Sequence, residues 1–185
     1  MQIANIFDIL AKSMINGLDI MLLLKLSSQK EPRVQSKKLA EELFITPSEV
    51  TQSLKRCKNS GLLYWSDLEK RVNRVGLLEF LSHGFRYVFP AERGSMTRGM
   101  PTGVAAEPLK SLFQEGVEPP PVWPYAQGAV RGLSLLPLHK QVPRAALQDS
   151  ALYELLALVD SVRGDRVRER QLAVEELKKR LDSHA

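Results

Sequence analysis

The chain has 185 residues, 44% of them hydrophobic, which is enough for one domain with an extension or for two small domains with buried cores. Its single cysteine, Cys57, excludes a disulfide framework and a cysteine-rich zinc site within one chain. The net charge of +5 is modest, and most of the basic excess lies in residues 1–98, where it favours an acidic partner such as nucleic acid.

Two helices are predicted before residue 29. Residues 2–14 carry an apolar stripe, which suits either a dimerisation helix or packing against the chain's own domain. Asn16 is a suitable N-cap for a second helix, from Leu18 to Ser27, which is apolar over most of its surface. A polar loop follows over residues 29–34.

The clearest pattern in the chain is a pair of helices separated by a short break. Ser36 to Leu43 has helical spacing of its apolar residues. After the break, Thr46 is a good N-cap, Pro47 suits the first helical position, and Glu49 completes a capping box. Gly61 is expected to end the second helix, because glycine reaches a positive φ at little cost.

The second helix has two contrasting faces. Its apolar spacing predicts that Cys57 is buried beside Val50 and Leu54; a redox-sensing thiol, the alternative, would need an exposed position. The other face carries hydroxyl, amide and cationic side chains suited to base edges and phosphates. The candidate DNA-binding residues of the helix pair are Ser36, Thr46, Ser48, Thr51, Gln52, Lys55, Arg56 and Lys58.

The run from Thr46 to Leu62 resembles the recognition helix of winged-helix regulators of the MarR type, which read Ser-Pro-Ser-x-Val-Ser and later Arg-Leu-x-x-x-Gly-Leu. Arg56 occupies the arginine position, Cys57 the leucine position, and Gly61 the glycine position. The resemblance implies a dimer on duplex DNA, with the recognition helix in the major groove and a wing near the backbone or minor groove. In that family the arginine can also pair within the fold.

A β wing is predicted after the second helix. A short strand from Leu62 to Trp65 leads to a tip over residues 66–71, and the return strand must be brief. This tip departs from the Asp-x-Arg tip that is usual in the family. Lys70, Arg71 and Arg74 are the candidate wing contacts.

The next stretch is predicted to be a helix from Asn73 to Ser82, stopped by His83-Gly84, and then an extended aromatic segment from Phe85 to Phe89. Residues 90–143 hold 9 of the 11 prolines and 6 of the 11 glycines. In a disordered chain their tryptophan, tyrosine and leucines would expose apolar surface to water, so we expect an irregular but packed segment.

Two runs within that segment are similar to each other: Thr97 to Pro101 and Val130 to Ser134. Each is predicted to place an Arg-Gly pair in a turn. The two arginines would then be either solvated or in contact with phosphate or an acidic partner.

The C-terminal residues predict a helical hairpin. Asp149 is expected to cap a helix from Ser150 to Val162, and Gly164 to end it. Asp165 would cap a second helix from Arg166 to Leu181. Two such helices suit a dimer interface or a partner protein.

These elements predict a mainly α fold with a small β wing. Residues 1–83 would form a winged helix-turn-helix DNA-binding domain with an N-terminal helix, residues 84–145 an irregular Pro/Gly-rich packed extension, and residues 146–185 a C-terminal helical hairpin. The N-terminus has no signal-peptide pattern, and the longest apolar run is too short to span a bilayer, so we expect a cytoplasmic protein.

The expected function is that of a sequence-specific double-stranded DNA-binding transcriptional regulator, a homodimer with residues 47–60 in the major groove. The alternative is an antitoxin-like or defence-associated module that binds a second protein through residues 84–185. A small enzyme is a third possibility, but the histidines are scattered and no nucleophile elbow or paired-carboxylate pattern occurs. We therefore predict no catalytic residue, metal or cofactor.

Overall fold

The computed structural model describes residues 14–29, 35–66, 69–113, 119–164 and 166–182. The fold is mainly helical, with a small antiparallel β-hairpin and a three-stranded sheet. The helix predicted over residues 2–14 falls outside the described residues except for Met14, and so does the proposed cap Asp165. No helix in the described ranges is long and apolar enough to cross a membrane.

The N-terminal half begins with three helices and a hairpin. Their bounds are α1 Gly17–Ser28, α2 Ser36–Leu43, α3 Pro47–Asn59, β1 Leu63–Trp65 and β2 Lys70–Val72. Every residue of α1 from Leu18 to Ser27 is buried, so this helix is the centre of the N-terminal core. The predicted Asn16 cap is confirmed, and Asp19 completes a capping box with it.

Local backbone chemistry shapes the turns around α3. Phe44 ends α2 in the left-handed region at φ 55°, which turns the chain sharply toward α3. Gly61 has φ 75°, as its predicted place at the end of α3 requires. β1 and β2 then pair antiparallel, with Leu63 opposite Val72.

The segment after the hairpin is helical for longer than predicted. It consists of α4 Arg74–Glu79, a π-helical turn Phe80–Gly84 and α5 Phe85–Val88. The prediction that Phe85 to Phe89 is extended was wrong. Phe85 is fully buried and packs edge-to-face against Phe80, with ring centroids 5.8 Å apart. Core burial of this ring outweighs its intrinsic strand preference, and the π turn accommodates Gly84 without ending the helix.

The Pro/Gly-rich segment contains a regular sheet, so the prediction of irregular structure was wrong for much of it. Its strands are β3 Arg93–Pro101, β4 Pro121–Pro124 and β5 Val130–Leu135. β3 pairs antiparallel with both others, while β4 and β5 pair parallel and close a small barrel. A 3-10 turn Gly103–Ala105 and the short helix α6 Leu109–Leu112 lie between β3 and β4.

Two glycines make this barrel possible. A Cβ on Gly99 would lie 2.1 Å from the carbonyl oxygen of Trp123, and one on Gly132 would lie 2.0 Å from that of Pro120. Both glycines are in paired strands, so the prediction that the two Arg-Gly pairs form turns was wrong. In these strands glycine permits close approach of neighbouring backbones and does not form a turn.

The C-terminal helices are α7 Val142–Gln148, α8 Ser150–Arg163 and α9 Val167–Asp182. The predicted hairpin of α8 and α9 is confirmed, and the Asp149 carboxylate caps α8 by accepting from the backbone N–H of Leu152. The antiparallel direction follows from the ion pair of Arg180 with Glu154, 2.9 Å apart, which joins the end of α9 to the start of α8. All residues of α8 from Leu155 to Arg163 are buried.

A buried carboxylate ties α8 to the sheet. Asp160, 3% exposed, accepts from the indole Nε1 of Trp123 at 2.5 Å and from the hydroxyl of Thr102 at 2.7 Å. Its second oxygen accepts from the guanidinium of Arg163 on the next turn. The charge is therefore paired and hydrogen-bonded, as burial requires.

Polar contacts also join the two halves of the chain. Lys25 on α1 reaches Asp149 at 2.7 Å and Glu42 on α2 at 3.0 Å. Arg74 donates to the carbonyl oxygen of Leu181 at 2.7 Å. One hydrophobic cluster includes residues from α1 through α9, so α8 packs its apolar side inside the chain.

Candidate nucleic-acid interface

Helix α3 is fixed at its start by a capping box. The Thr46 hydroxyl accepts from the backbone N–H of Glu49 at 3.2 Å, and the Glu49 carboxylate accepts from the backbone N–H of Thr46 at 2.7 Å. Hydrogen bonds from the Thr46 backbone and hydroxyl lower the pKa of Glu49. The charged carboxylate then sits favourably at the positive end of the helix. Thr46, a candidate DNA contact, thus already has a structural role.

The inward face of α3 packs as its spacing predicts. Val50, Leu54 and Cys57 are each fully buried. Burial raises the pKa of the Cys57 thiol to about 12, so it stays protonated at neutral pH. This thiol lacks the exposed, low-pKa environment that redox sensing needs.

The outward face of α3 is polar and accessible. Ser48, Gln52, Lys55 and Lys58 are exposed, and Thr51 is half-buried with its hydroxyl donating to the Pro47 carbonyl at 3.0 Å. Gln52 makes only a long 3.4 Å contact with the Ser48 hydroxyl. Within the described part of the chain, neither lysine has an acidic partner. The amide and the two ammonium groups are therefore available to a ligand.

Arg56 is not part of that accessible face. Its Nε and Nη2 donate to the two carboxylate oxygens of Asp19 at 2.8 and 2.7 Å. The Ser53 hydroxyl donates to the same carboxylate at 2.6 Å, and Asp19 is 0% exposed. The bond to Asp19 raises the pKa of Arg56 despite its partial burial. Arg56 could either contact DNA or pair within the fold, and the structure shows that it pairs with Asp19. Its prediction as a DNA contact is therefore corrected.

The β1–β2 hairpin presents cations and aromatic rings beside the end of α3. Tyr64 faces Arg71 across the strands, and the guanidinium lies 5.2 Å from the ring centroid. Trp65 faces Lys70. A hollow of about 380 Å³ lies where the end of α3 meets the hairpin, and its lining includes Lys58 and Glu69. The end of α3 and the hairpin thus adjoin, with Lys58 on the helix and with Lys70 and Arg71 on the hairpin, where Arg71 lies 3.9 Å from the Glu69 carboxylate.

Two other predicted contacts, Arg74 and Ser36, are less accessible. Arg74 is held inside the fold, and Ser36 is half-buried. Arg74 bonds to the Leu181 carbonyl and, at 3.4 Å, to the Ser27 carbonyl. Burial lowers the pKa of this arginine. Its inclusion as a wing contact is corrected, because the guanidinium is held between α1 and α9. Ser36 is the first residue of α2 and is half-buried.

Sequence reasoning missed basic residues from the C-terminal half. The guanidinium of Arg144 on α7 lies 3.9 Å from the ring centroid of Phe44, at the turn between α2 and α3. His139 and Lys140 are close enough to Glu49 to interact with its charge. Burial lowers the pKa of His139, so Lys140 and Arg144 supply the positive charge here. No local pattern could have found them, because only the tertiary fold brings these residues together.

No family model matches this chain, and comparison with curated proteins and with solved structures finds no match either. The described ranges also contain no group of three or more His, Cys, Asp or Glu residues that could hold a metal ion. The chemistry available at this surface is hydrogen bonding by an amide and hydroxyls, together with attraction of anions by exposed cations.

Proposed function

We propose that this chain is a sequence-specific double-stranded DNA-binding transcriptional regulator of the MarR-like winged-helix class that acts as a dimer. The observation that carries the proposal is the division of α3 into two faces. One face, with Val50 and Leu54, is fully buried in the core, while the other leaves Gln52, Lys55 and Lys58 exposed. A helix anchored in this way can enter a groove without losing its own packing.

The proposed contacts follow from the geometry of α3 and the hairpin. α3 has 13 residues and is about 20 Å long, which suits the major groove. Gln52 is the base-reading residue, because a glutamine amide can pair with the N6/N7 edge of adenine. Lys55 and Lys58 contact phosphates, and Lys70 and Arg71 form the wing contact. Lys140 and Arg144 extend the basic surface beyond the start of α3.

A dimer would read two half-sites about one helical turn apart. The apolar side of α8 is used inside the chain, so the second copy has to contact other surfaces. We propose that the N-terminal residues or the outer side of α9 form that contact.

The test is binding of the purified full chain to its own upstream DNA and to a scrambled duplex, measured by fluorescence anisotropy across a salt series. We expect a preference on the order of 10³-fold or more and a steep dependence on salt. Equal affinity for both duplexes at physiological salt would overturn the proposal.

A second candidate function is an antitoxin-like or defence-associated module that binds a protein through residues 84–185. It is favoured by five large apolar side chains in this half that are 50–55% exposed: Val88, Leu112, Leu136, Leu147 and Val167. Pull-down with wild type and with Lys55→Glu/Lys58→Glu tests it. Recovery of the same specific protein by both would support this function, and recovery of none would contradict it.

A further inference from the structure

The two similar Arg-Gly runs are direct partners in the sheet. In the antiparallel pair of β3 and β5, Arg98 lies opposite Arg131, Thr97 opposite Gly132, and Gly99 opposite Val130. Two runs about 33 residues apart in sequence therefore place their arginines at one point of the barrel. This juxtaposition could not be seen from the sequence without the register.

This arrangement is unfavourable for the fold alone. Like charges directly opposite each other destabilise an antiparallel pair, whereas opposite charges stabilise it. Both Arg98 and Arg131 are exposed. Among the described residues neither guanidinium has an acidic partner that would offset the repulsion. Stability of the sheet therefore gives no reason for two arginines at this register position.

The neighbouring glycines hold the two arginines on one rigid face. Gly99 and Gly132 are buried and pack against the backbone of β4 and of Pro120 just before it. Since side chains alternate along a strand, the residues before them, Arg98 and Arg131, point away from β4. The strand backbone thus fixes the base of each arginine before any ligand arrives, which lowers the entropic cost of binding.

A hollow lies beside the two arginines. Its volume is about 340 Å³, and its lining includes both arginines together with Met96, Thr97 and Ala129. No carboxylate is part of the lining. The hollow is large enough for a phosphate or pyrophosphate group but offers only a small apolar area for a larger organic body.

We propose that Arg98 and Arg131 form a phosphate-binding site on the barrel. Two guanidinium groups carry a charge of +2, which matches a phosphate dianion, and each can donate two parallel hydrogen bonds to its oxygens. The phosphate can come from a free phosphorylated molecule or from a nucleic-acid backbone. The proposal does not depend on the DNA-regulator function, because the site lies on strands outside α3 and the hairpin.

The primary test is calorimetric titration of pyrophosphate into the full chain. The variant Arg98→Gln/Arg131→Gln is compared with Arg86→Gln/Arg168→Gln, which removes the same charge from arginines that stack on Tyr87 and Phe113. We expect the first variant to lose at least about tenfold in affinity, which corresponds to about 1.4 kcal/mol of binding free energy. The control should stay within about twofold of wild type.

A second arm separates the two sources of phosphate. The same proteins are titrated with a random-sequence duplex across salt. If DNA supplies the phosphate, the salt slope of Arg98→Gln/Arg131→Gln falls by about two relative to the control. If a free phosphate is the ligand, pyrophosphate affinity is lost and the slope is unchanged. The proposal is overturned if the two double variants behave alike toward both pyrophosphate and DNA.

The phosphate-site proposal and the regulator proposal can be refuted separately. Gln52→Ala should lose sequence preference on DNA but keep its affinity for pyrophosphate, while Arg98→Gln/Arg131→Gln should do the reverse.

A stability measurement checks that the arginines are not there to hold the sheet. In Arg131→Glu an acidic side chain faces Arg98, so the melting temperature should rise while pyrophosphate binding is lost. A lower melting temperature together with the loss of binding would assign Arg131 a structural role and overturn the proposal.

Discussion

The helix pair with its hairpin, residues 36–72, and the barrel, residues 93–135, show how differently two regions of one chain encode structure. In the first region a capping box, a proline at the first helical position and Gly61 mark the start and the end of α3 within a few residues. In the second, β3 pairs with residues some 20 to 40 positions away, and β4 pairs with residues of β5 that are 12 positions away. Local chemistry determines the first region and long-range backbone fit determines the second.

The difference extends to the way each region uses charge. In the first region Arg56 and Ser53 bind the buried Asp19 of α1, so that this buried charge is neutralised, while Lys55 and Lys58 face solvent. The barrel instead sets Arg98 opposite Arg131 on its surface.

Removing the buried arginine should damage the first region most. Arg56→Ala leaves the Asp19 carboxylate buried without its cation, and we expect a loss of about 3–5 kcal/mol in the free energy of unfolding. Urea denaturation followed by circular dichroism measures it. The control is Arg166→Ala, which breaks an exposed pair with Glu169 and should cost less than about 1 kcal/mol. Equal effects of the two variants would show that the buried pair is no more important than a surface pair.

The barrel should instead be sensitive at its glycines. In Gly132→Ala the new Cβ would lie 2.0 Å from the Pro120 carbonyl oxygen, so the strands must separate, at a cost of about 1–3 kcal/mol or more. Thermal unfolding measures the effect. Gly94→Ala is the matched control on β3, because its Cβ would meet nothing closer than 3.4 Å. If the two variants melt together, close backbone approach does not determine the barrel.

Substitutions on the exposed face of α3 should change DNA binding without changing the stability of the fold. Gln52→Ala is expected to relax specificity at one base position and to weaken binding to the preferred duplex by about 1–3 kcal/mol. Competition with duplexes substituted one base pair at a time measures this change. Lys55→Ala is the comparison, since it should weaken all sequences alike and lower the salt slope by about one. Unchanged specificity in Gln52→Ala would remove this residue from base reading.

The smallest expected effect concerns the ion pairs that join the two halves. Burial by itself would raise the pKa of Asp149, but hydrogen bonds from Lys25 and Leu152 lower it below the ordinary 3.8. The carboxylate therefore contributes stability above that pH, which is lost as the pH falls through its folded-state pKa. We expect Asp149→Asn, which keeps the cap, to cost about 1 kcal/mol at pH 7.

Urea denaturation at pH 7 and at successively lower pH measures this contribution. The difference between wild type and Asp149→Asn should shrink as the medium becomes acidic. A constant difference across the pH range would mean that the Asp149 charge does not stabilise the fold.

Most of the helices and one face of the candidate site could be predicted from local sequence patterns. Asn16, Thr46 and Asp149 each marked a helix start that the structure contains, because capping needs only neighbours three residues away. The spacing of apolar residues in α3 also separated buried Val50 from exposed Gln52, since a helix repeats every 3.6 residues.

Contacts between residues far apart in the chain could be seen only in the folded structure. It paired Arg56 with Asp19 and Arg74 with Leu181, and so removed both arginines from the exposed surface. It also made Gly99 a strand residue and kept Phe85 helical, since core packing and backbone fit outweigh local propensity. Such contacts produce no repeating pattern of residues in the sequence, because the register of strands and the choice of ion-pair partner are properties of the folded molecule.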